Sequence, residues 1–171
     1  AKVVALVVEN EQAEELMPGV EAIVVLDKTP FYAEMGGQQG DAGELSAEGV
    51  SLTVSDTKNH NGLYAHVAPV AEGTLTVGAT VTAALDAERR GFLRRNHTAT
   101  HLLQKALREV LGEHVHQAGS YQDDQITHFD FTHFSAVSPA ELAEVERRVN
   151  EKIYEALPVT VKNLPIEEAK K

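Results

Sequence analysis

Cysteine is absent from the 171-residue sequence, and long apolar runs are absent as well. Without cysteine, the chain forms no disulfide and offers no thiolate for catalysis or metal binding. A membrane-spanning helix needs roughly 20 consecutive apolar residues, and no stretch approaches that length. The opening residues, AKVVALVVEN, have neither the charged start nor the cleavage site of a signal peptide. We therefore expect a cytoplasmic protein without a membrane partner.

Basic residues are scarce, which bears on nucleic-acid binding. The chain has 15 lysines and arginines against 26 aspartates and glutamates, giving a formal net charge of −11. Such a balance ordinarily argues against a nucleic-acid partner, because phosphate binding draws on lysine and arginine. However, Arg89, Arg90, Arg94 and Arg95 lie close together, directly before a pair of histidines. They form either a local positive patch for phosphates or the ordinary surface of a helix start.

Residues 1–85 are predicted to form a small β-barrel. Five short segments in this part are rich in β-branched residues and are separated by turn residues. Asn61-Gly62 in particular is typical of a two-residue hairpin turn. Short strands joined by short polar turns, with no helical periodicity between them, favour a barrel. The five predicted strands are VVALVV, EAIVVLD, VSLTVSD, LYAHVAPV and ATVTAALD.

Residues 86–171 are predicted to form an α/β subdomain, which makes the whole chain α+β. Apolar residues recur at helical spacing after Asp86, and Gly112 follows as a helix end. Gly91 is a candidate break in this helix. Asn96 is a candidate cap for a new start directly before the histidines.

A hairpin and a second helix follow. HVHQAGSY and QITHFDF are candidate strands on either side of the polar residues 122–124. Ser138, Pro139 and Glu141 form a capping box that begins a helix, which we expect to run to about Ala156. PVTVKNLP is predicted as a final strand, and PIEEAKK as the start of another helix. Because there is no initiating methionine and a helix begins at the last residues, we expect an excised piece of a longer protein, truncated at its C-terminus.

His97 and His101 are the strongest candidates for metal binding. Residues four apart on a helix face the same way, so the two imidazoles can hold one divalent ion. A metalloprotease would have glutamate directly after its first histidine, and Thr98 occupies that position, so a protease is disfavoured. Zinc takes three or four protein ligands. The alternative is therefore an incidental pair of histidines.

Polar side chains near the histidine pair are candidates for the rest of a site. Thr100 lies on the same predicted helix, and Gln117 and Ser120 lie on the strand that follows. Taken singly, such side chains usually satisfy backbone groups.

A glycine-rich stretch, MGGQQGDAG, lacks the Gly-Lys-Ser/Thr ending of a phosphate-binding loop. Its Gly36-Gly37-Gln38 resembles the tripeptide by which release factors promote hydrolysis of peptidyl-tRNA. Glycine permits close approach of the backbone to a ligand, although a plain turn accounts for the same residues.

The order of these motifs resembles that of a known family. FYAEMGGQQGDAG is followed by RRNHTATHLLQKALREVLG, then by HQAGS and FDFTH, and by a helix ending in LPV. This arrangement, which covers essentially the whole chain, resembles the editing region of alanyl-tRNA synthetases, and the free-standing AlaX deacylases share the module. The resemblance implies hydrolysis of the ester that joins a wrong amino acid, serine or glycine, to alanine tRNA. The partner that it implies is the acceptor end of tRNA(Ala).

For the site, the resemblance implies zinc bound by His97 and His101, with a cysteine and a histidine of a C-x-x-x-H motif as the other ligands. The sequence has no such motif, so we expect these ligands downstream, and we expect the chain alone to be inactive. Thr100, Gln117 and Ser120 match residues of the family's editing pocket and are our candidate catalytic residues.

Contacts with tRNA are also implied by the resemblance. Gly36, Gly37 and Gln38 match the family's glycine-rich motif as pocket or acceptor-end contacts, and Thr29 is a candidate for contacting the serine hydroxyl. The four arginines would face the phosphates of the acceptor stem. ATP and Mg²⁺ are implied only for an aminoacylation domain outside this chain, which would contact it within one longer protein. Two alternatives stay open: a stand-alone AlaX-type deacylase and a non-catalytic tRNA-binding module.

Overall fold

Strands occupy most of the first half of the chain. The computed structural model describes residues 1–68, 70–160 and 162–169. In chain order the strands of this half are β1 (Val3–Val8), β2 (Glu11–Ala13), β3 (Glu15–Leu16), β4 (Ala22–Leu26), β5 (Gly43–Ala47), β6 (Val50–Val54), β7 (Asp56–His60), β8 (Leu63–Ala68), β9 (Val70–Glu72), β10 (Leu75–Thr76) and β11 (Thr82–Leu85). All five predicted strands are confirmed, although Pro69 of the fourth lies outside the described residues. The other six strands were not predicted.

Antiparallel pairing joins these strands into three sheets. The first has the order β2-β1-β4-β8-β7, the second β11-β5-β6-β9, and the third pairs β10 with β3. The order of strands in each sheet begins and ends with an edge strand. The closure of the strands into a barrel therefore stays a prediction.

The turn predicted at Asn61-Gly62 joins β7 to β8. His60 and Leu63 face each other across it, and the backbone φ angles of Asn61 and Gly62 are 55° and 91°. Positive φ at both central residues is the geometry of the tight hairpin turn that asparagine and glycine favour. The side-chain oxygen of Asn59 also accepts a hydrogen bond of 2.8 Å from the Gly62 amide. The hairpin prediction is therefore confirmed.

Alternating burial along the strands builds one apolar core from residues 1–85. Leu45 and Leu52 are paired across β5 and β6, and both are fully buried. Burying a leucine side chain contributes about 1.5–3 kcal/mol. Phe31, from the segment after β4, packs into the same core. This core holds the three sheets together.

The second half of the chain combines helices with one hairpin. Its elements are α1 (Ala87–Leu111), β12 (Gln117–Gln122), β13 (Thr127–Phe131), α2 (Pro139–Tyr154) and α3 (Ile166–Ala169). The mixed α+β class is confirmed. A second apolar cluster forms where α1, α2 and the hairpin meet, around Leu107 and Val145. Whether the chain divides into domains after residue 85 stays a prediction.

Helix α1 is continuous, which contradicts the predicted break at Gly91 and the predicted cap at Asn96. Asp86 is the N-cap, and its side chain accepts a hydrogen bond of 2.9 Å from the amide of Arg89. Asn96 instead donates from its side chain to the carbonyl of Asp123, at 2.7 Å. Glycine inside a helix costs only about 1 kcal/mol, which tertiary contacts outweigh here. Gly112 ends the helix, as predicted.

The boundaries of α2 and the residues after it test three further predictions. Ser138 and Glu141 form both hydrogen bonds of the predicted capping box. A short helix begins after Pro165, as expected. The predicted strand PVTVKNLP was wrong for its described residues, 158–160 and 162–165, which are exposed and form no strand, whereas Val161 lies outside the described residues. Valine and threonine favour a strand only where a neighbouring strand pairs with them.

The helices were compared with the length and hydropathy that a membrane span requires. Within the part of the chain that the structure describes, none of them combines the length and apolar character needed to cross a bilayer.

Candidate functional site

The glycine loop, defined here as residues 36–43, joins the first half of the chain to β12. The amide of Gln122 donates to the carbonyl of Gly37 at 2.8 Å, and the amide of Gln39 donates to the carbonyl of Gln122 at 2.9 Å. Gln38 and Gln122 thereby form a parallel bridge. The loop acts as a short extra strand beside the hairpin, and it places Gln38 against the middle of α1, at His97.

Gly37 lies directly against Ser120 of β12. A Cβ atom on Gly37 would be 2.6 Å from the Ser120 carbonyl oxygen and 2.7 Å from its Oγ, and φ of Gly37 is +83°. Both the close approach and the left-handed backbone therefore require glycine. Ser120 Oγ accepts a hydrogen bond of 3.0 Å from Nε2 of Gln117. The loop thus contacts Ser120 directly, and Ser120 in turn is hydrogen-bonded to Gln117.

The two predicted metal ligands lie side by side on α1. The rings of His97 and His101 are 5.2 Å apart between centroids and nearly parallel, at 16°. Nδ1 of His97 lies 2.8 Å from Oε1 of Gln38. Because an amide oxygen only accepts, Nδ1 carries the hydrogen and Nε2 of His97 keeps a free lone pair. The helix and the glycine loop therefore meet at this histidine.

Burial keeps the His97 imidazole neutral near pH 7. Removal from water lowers the pKa of His97 below its ordinary value, and repulsion from His101 lowers it further. Metal ions bind the neutral form of histidine. His97 is thus in the protonation state that a ligand requires.

The donor set fits half of a zinc site. Zinc prefers imidazole nitrogen and takes four protein ligands in structural sites or three in catalytic ones. Within residues 1–68, 70–160 and 162–169, no group of three or more His, Cys, Asp or Glu side chains is placed to hold a metal ion. His97 and His101 therefore supply two ligands, and a complete site needs others from elsewhere.

Thr100 is buried within α1, between the two histidines in sequence. Its Oγ1 donates a hydrogen bond of 2.9 Å to the carbonyl of Asn96, one helical turn earlier. The hydroxyl hydrogen is therefore used by the helix, and only the lone pairs of Oγ1 remain for another group.

Thr29 lies in a different environment from the histidine pair. Its Oγ1 is 2.8 Å from Nε2 of His66, on β8, and it accepts a hydrogen bond of 3.1 Å from the amide of Phe31. The structure therefore joins Thr29 to the buried His66, and among the described residues its hydroxyl makes no hydrogen bond with His97 or His101.

The arginine cluster divides into two inward and two outward side chains. Arg89 donates to the Gly40 carbonyl at 2.9 Å and to Oε1 of Gln39 at 2.7 Å. Arg90 pairs with the carboxylate of Asp41, whose side chain is only 1% exposed. Both guanidinium groups therefore hold the glycine loop against α1.

Arg94 and Arg95 are exposed on the same helix. The guanidinium of Arg95 lies 4.5 Å from the centre of the Phe92 ring, a cation–π contact. Contact of arginine with phosphates stays a prediction, and these two side chains are the members of the cluster that face solvent.

Sequence reasoning missed Asp41 and Gln122. Asp41 accepts from the amide of Tyr32 at 2.6 Å as well as from Arg90, and it was identifiable as the one charged residue within MGGQQGDAG. Gln122 is 1% exposed, and neither polar atom of its side chain has a hydrogen-bond partner among the described residues. No local pattern marks Gln122, because its burial depends on the glycine loop.

Comparison with known protein families gives the class of this protein. The family model of the class II tRNA synthetases (A) matches residues 1–89, which is more than half of the chain, and the chain belongs to this family. It is similar over its whole length to alanine–tRNA ligases.

Three such relatives show the extent of this similarity. The chain is 49% identical over 172 residues to the alanine–tRNA ligase of Acetivibrio thermocellus, covering 100% of the chain and 20% of the relative. It is 46% identical over 171 residues to that of Thermoanaerobacter sp. strain X514, with the same coverage. For Bacillus cereus the identity is 49% over 171 residues, covering 99% of the chain and 19% of the relative. The chain therefore spans about a fifth of the length of these relatives.

Proposed function

We propose that this chain is part of an alanine–tRNA ligase and carries half of its editing site. That site hydrolyses the ester of serine or glycine attached to tRNA(Ala), and it acts in the cytoplasm. The proposal is based on the pairing of His97 with His101 beside the glycine loop. The loop contacts His97 through Gln38 and contacts Ser120 through Gly37. The names of the relatives support the assignment of this chain to an alanine–tRNA ligase. The contacts around His97 support the proposed location of the editing site.

A second site is needed because alanine is a small substrate. An apolar pocket built for alanine cannot exclude glycine, and it rejects an added hydroxyl by only roughly a hundredfold. A site that hydrogen-bonds the serine hydroxyl can discriminate by about 10⁴, since alanine would leave its polar groups unpaired. Hydrolysis at such a site removes the serine or glycine that the alanine pocket has allowed to be attached to tRNA(Ala).

Three side chains of this chain have hydrogen-bonding capacity left for that ester. Ser120 Oγ accepts from Gln117, so its own hydroxyl hydrogen is available to donate. Gln117 keeps its carbonyl oxygen as an acceptor. Thr100 donates to Asn96, so it can only accept from a substrate hydroxyl. We assign Ser120 to the developing negative charge on the ester oxygen, and Thr100 or Gln117 to the serine hydroxyl.

Zinc is the cofactor that we propose, held by His97 and His101 with further ligands from outside this chain. When bound, zinc supplies a Lewis acid that polarises an ester carbonyl or activates water. ATP and Mg²⁺ belong to the aminoacylation domain, and they have no proposed role here.

For the acceptor end of tRNA(Ala), we propose Arg94 and Arg95 as phosphate contacts. Both are exposed, and they precede the histidine pair on α1. Binding through two arginines would weaken as salt rises, because bound counterions are released from the phosphates. Arg89 and Arg90 serve the same interface indirectly, by holding the glycine loop.

The test is deacylation of serine-charged tRNA(Ala) by the full-length protein that contains this chain. His97→Ala and His101→Ala should each abolish serine release and lower the zinc content. His128→Ala is the matched control, since its side chain is 62% exposed and its ring pairs with Asp130 rather than with the site. The control should retain both activity and zinc.

Two results would require a different function to be assigned to this chain. Wild-type deacylation by His97→Ala would reject the editing proposal and leave a non-catalytic tRNA-binding module. Serine release by the 171-residue chain alone would show a complete site, as in a stand-alone deacylase.

A further inference from the structure

We infer that Gln38 is a positioning residue that fixes the tautomer and the orientation of His97, so that Nε2 of His97 faces the metal. The inference rests on the proposed function in one respect, namely that His97 is a metal ligand. The inference is based on the distance of 2.8 Å between Oε1 of Gln38 and Nδ1 of His97, which is that of a hydrogen bond. Gln38 was predicted, from the resemblance, as a contact of the editing pocket or of the tRNA acceptor end.

Burial argues against direct contact of Gln38 with the tRNA acceptor end. Its side chain is only 5% exposed, and its oxygen is directed to His97 rather than to solvent. The hydrogen bond to His97 occupies Oε1 of Gln38. Gln38 therefore acts through His97.

The backbone on both sides of Gln38 is held in place. Its amide donates to the Met35 carbonyl at 3.2 Å, and the Met35 amide donates back at 3.3 Å. The neighbouring residues Gly37 and Gln39 are bonded to the backbone of Gln122. The side chain of Gln38 thus extends from a loop that is fixed by hydrogen bonds at each flank.

The same loop is clamped to the helix that carries His97. Arg89 lies two turns earlier on α1 and donates to Gly40 and Gln39 of the loop. Arg90, next to it, pairs with Asp41. These contacts set the spacing between the loop and α1 independently of the histidine. The Gln38–His97 hydrogen bond is therefore made between two parts whose separation is already determined.

The chemical consequence concerns which ring nitrogen carries the hydrogen. A neutral imidazole has one N–H, and its position depends on the hydrogen bonds that the ring makes. Oε1 of Gln38 accepts only, so it selects the form with hydrogen on Nδ1 and leaves the Nε2 lone pair for a metal. Groups that orient a metal-binding histidine in this way typically contribute 10–100-fold to metal affinity.

His101 differs from His97 in this respect. Its ring is exposed and lies parallel to that of His97, and within the described ranges it makes no hydrogen bond that would select a tautomer. One ring of the pair is therefore held by a hydrogen bond to a side chain, while the other, among the described residues, is held only by its contact with the first ring.

The first test reads the tautomer directly in the 171-residue chain, by nitrogen NMR of ¹⁵N-labelled histidine at pH 8. We expect His97 to carry its hydrogen on Nδ1. In Gln38→Met, which keeps the side-chain length and removes the acceptor, the ring should show a mixture of tautomers. Gln38→Glu, which keeps an oxygen at the same position, should restore the Nδ1–H form. Gln12→Met makes the same chemical change at an exposed position of β2 and should leave His97 unchanged.

The second test measures affinity for Zn²⁺ in the full-length protein by competition with a chelator. Gln38→Met should weaken binding about 10–100-fold, whereas Gln38→Glu and Gln12→Met should stay within a few fold of the wild type. A wild-type His97 with its hydrogen on Nε2, or unchanged zinc affinity in folded Gln38→Met, would overturn the inference. Either result would leave serine deacylation intact, so its failure is separable from failure of the proposed function.

Discussion

Oγ1 of Thr29 lies 2.8 Å from Nε2 of the fully buried His66. Nδ1 of the same ring lies 2.8 Å from the carbonyl oxygen of Val24. Because a carbonyl only accepts, Nδ1 carries the hydrogen, and the Thr29 hydroxyl must donate to Nε2. Both polar atoms of a buried ring are thereby satisfied, and Thr29 is part of that arrangement.

Removing the Thr29 hydroxyl should destabilise the fold. In Thr29→Val the buried Nε2 of His66 loses its donor, which should lower the free energy of unfolding by about 1–3 kcal/mol. Thr29→Ser keeps the donor and should cost clearly less. Urea denaturation of the two variants and the wild type measures the difference. Equal midpoints for Thr29→Val and the wild type would contradict this hydrogen-bond assignment.

The stability of the protein should fall in mildly acidic solution because of His66. Burial lowers the pKa of this imidazole in the folded state, below the value of about 6.5 for an unfolded chain. As pH falls below about 6.5, the unfolded state binds a proton that the folded state does not. The stabilisation is therefore fully present above that pH, and it is lost at up to about 1.4 kcal/mol per pH unit as pH drops toward the folded pKa.

NMR titration of the folded chain provides the measurement for His66. Its ring signals should titrate with a midpoint below the ordinary value of about 6.5. A midpoint at or above about 6.5 would reject this account, because the folded state would then bind a proton at least as readily as the unfolded state.

Two adjacent glycines should respond differently to alanine. Gly36 and Gly37 both have positive φ, which costs an alanine about 1–2 kcal/mol. A Cβ on Gly36 meets nothing within 4 Å, whereas on Gly37 it collides with the backbone of Ser120. Gly37→Ala should therefore destabilise the protein more than Gly36→Ala and separate the loop from β12. Thermal unfolding of the two variants compares them, and equal losses would show that the contact with Ser120 is not close.

The ion pair between Arg90 and Asp41 should contribute strongly to stability. Arg90→Met leaves a buried carboxylate without its charged partner, at a cost of about 3–5 kcal/mol. Arg94→Met is the matched control, because Arg94 is exposed on the same helix, and its change should be close to zero. Chemical denaturation in low and high salt distinguishes them. A small loss for Arg90→Met would mean that water or another group reaches Asp41.

Secondary structure was predictable where the pattern of apolar residues is local. The strands β1, β4, β6, β8 and β11 are rich in valine, leucine and alanine, and each was predicted. Strand β7, with the sequence DTKNH, was missed because its residues are polar and its pairing with β8 forms the strand. The opposite error occurred after Pro158, where β-branched residues have no partner strand among the described residues.

The site was predictable only in part, for a related reason. The spacing of His97 and His101 places them together on any helix, so the sequence suffices to pair them. The contact between His97 and Gln38 joins residues 59 positions apart, and no local signal marks it. The same holds for Arg89 and Arg90, whose inward direction depends on where the glycine loop lies. Spacing predicts neighbours on one element, whereas contacts between elements follow from the packing of both halves.

The glycine loop and α1 are far apart in the sequence, and this determines the order in which they appear during protein synthesis. At about 5–20 residues per second, a ribosome adds the 59 residues between Gln38 and His97 in about 3–12 seconds. Every buried residue of the first core lies at or before Val81, so that core is complete in sequence before the histidines are made. The glycine loop therefore lacks its partners on α1 and β12 at first, although Asp41 already has Tyr32 and Thr57 within the first half. Gln38 meets His97 only after α1 has emerged.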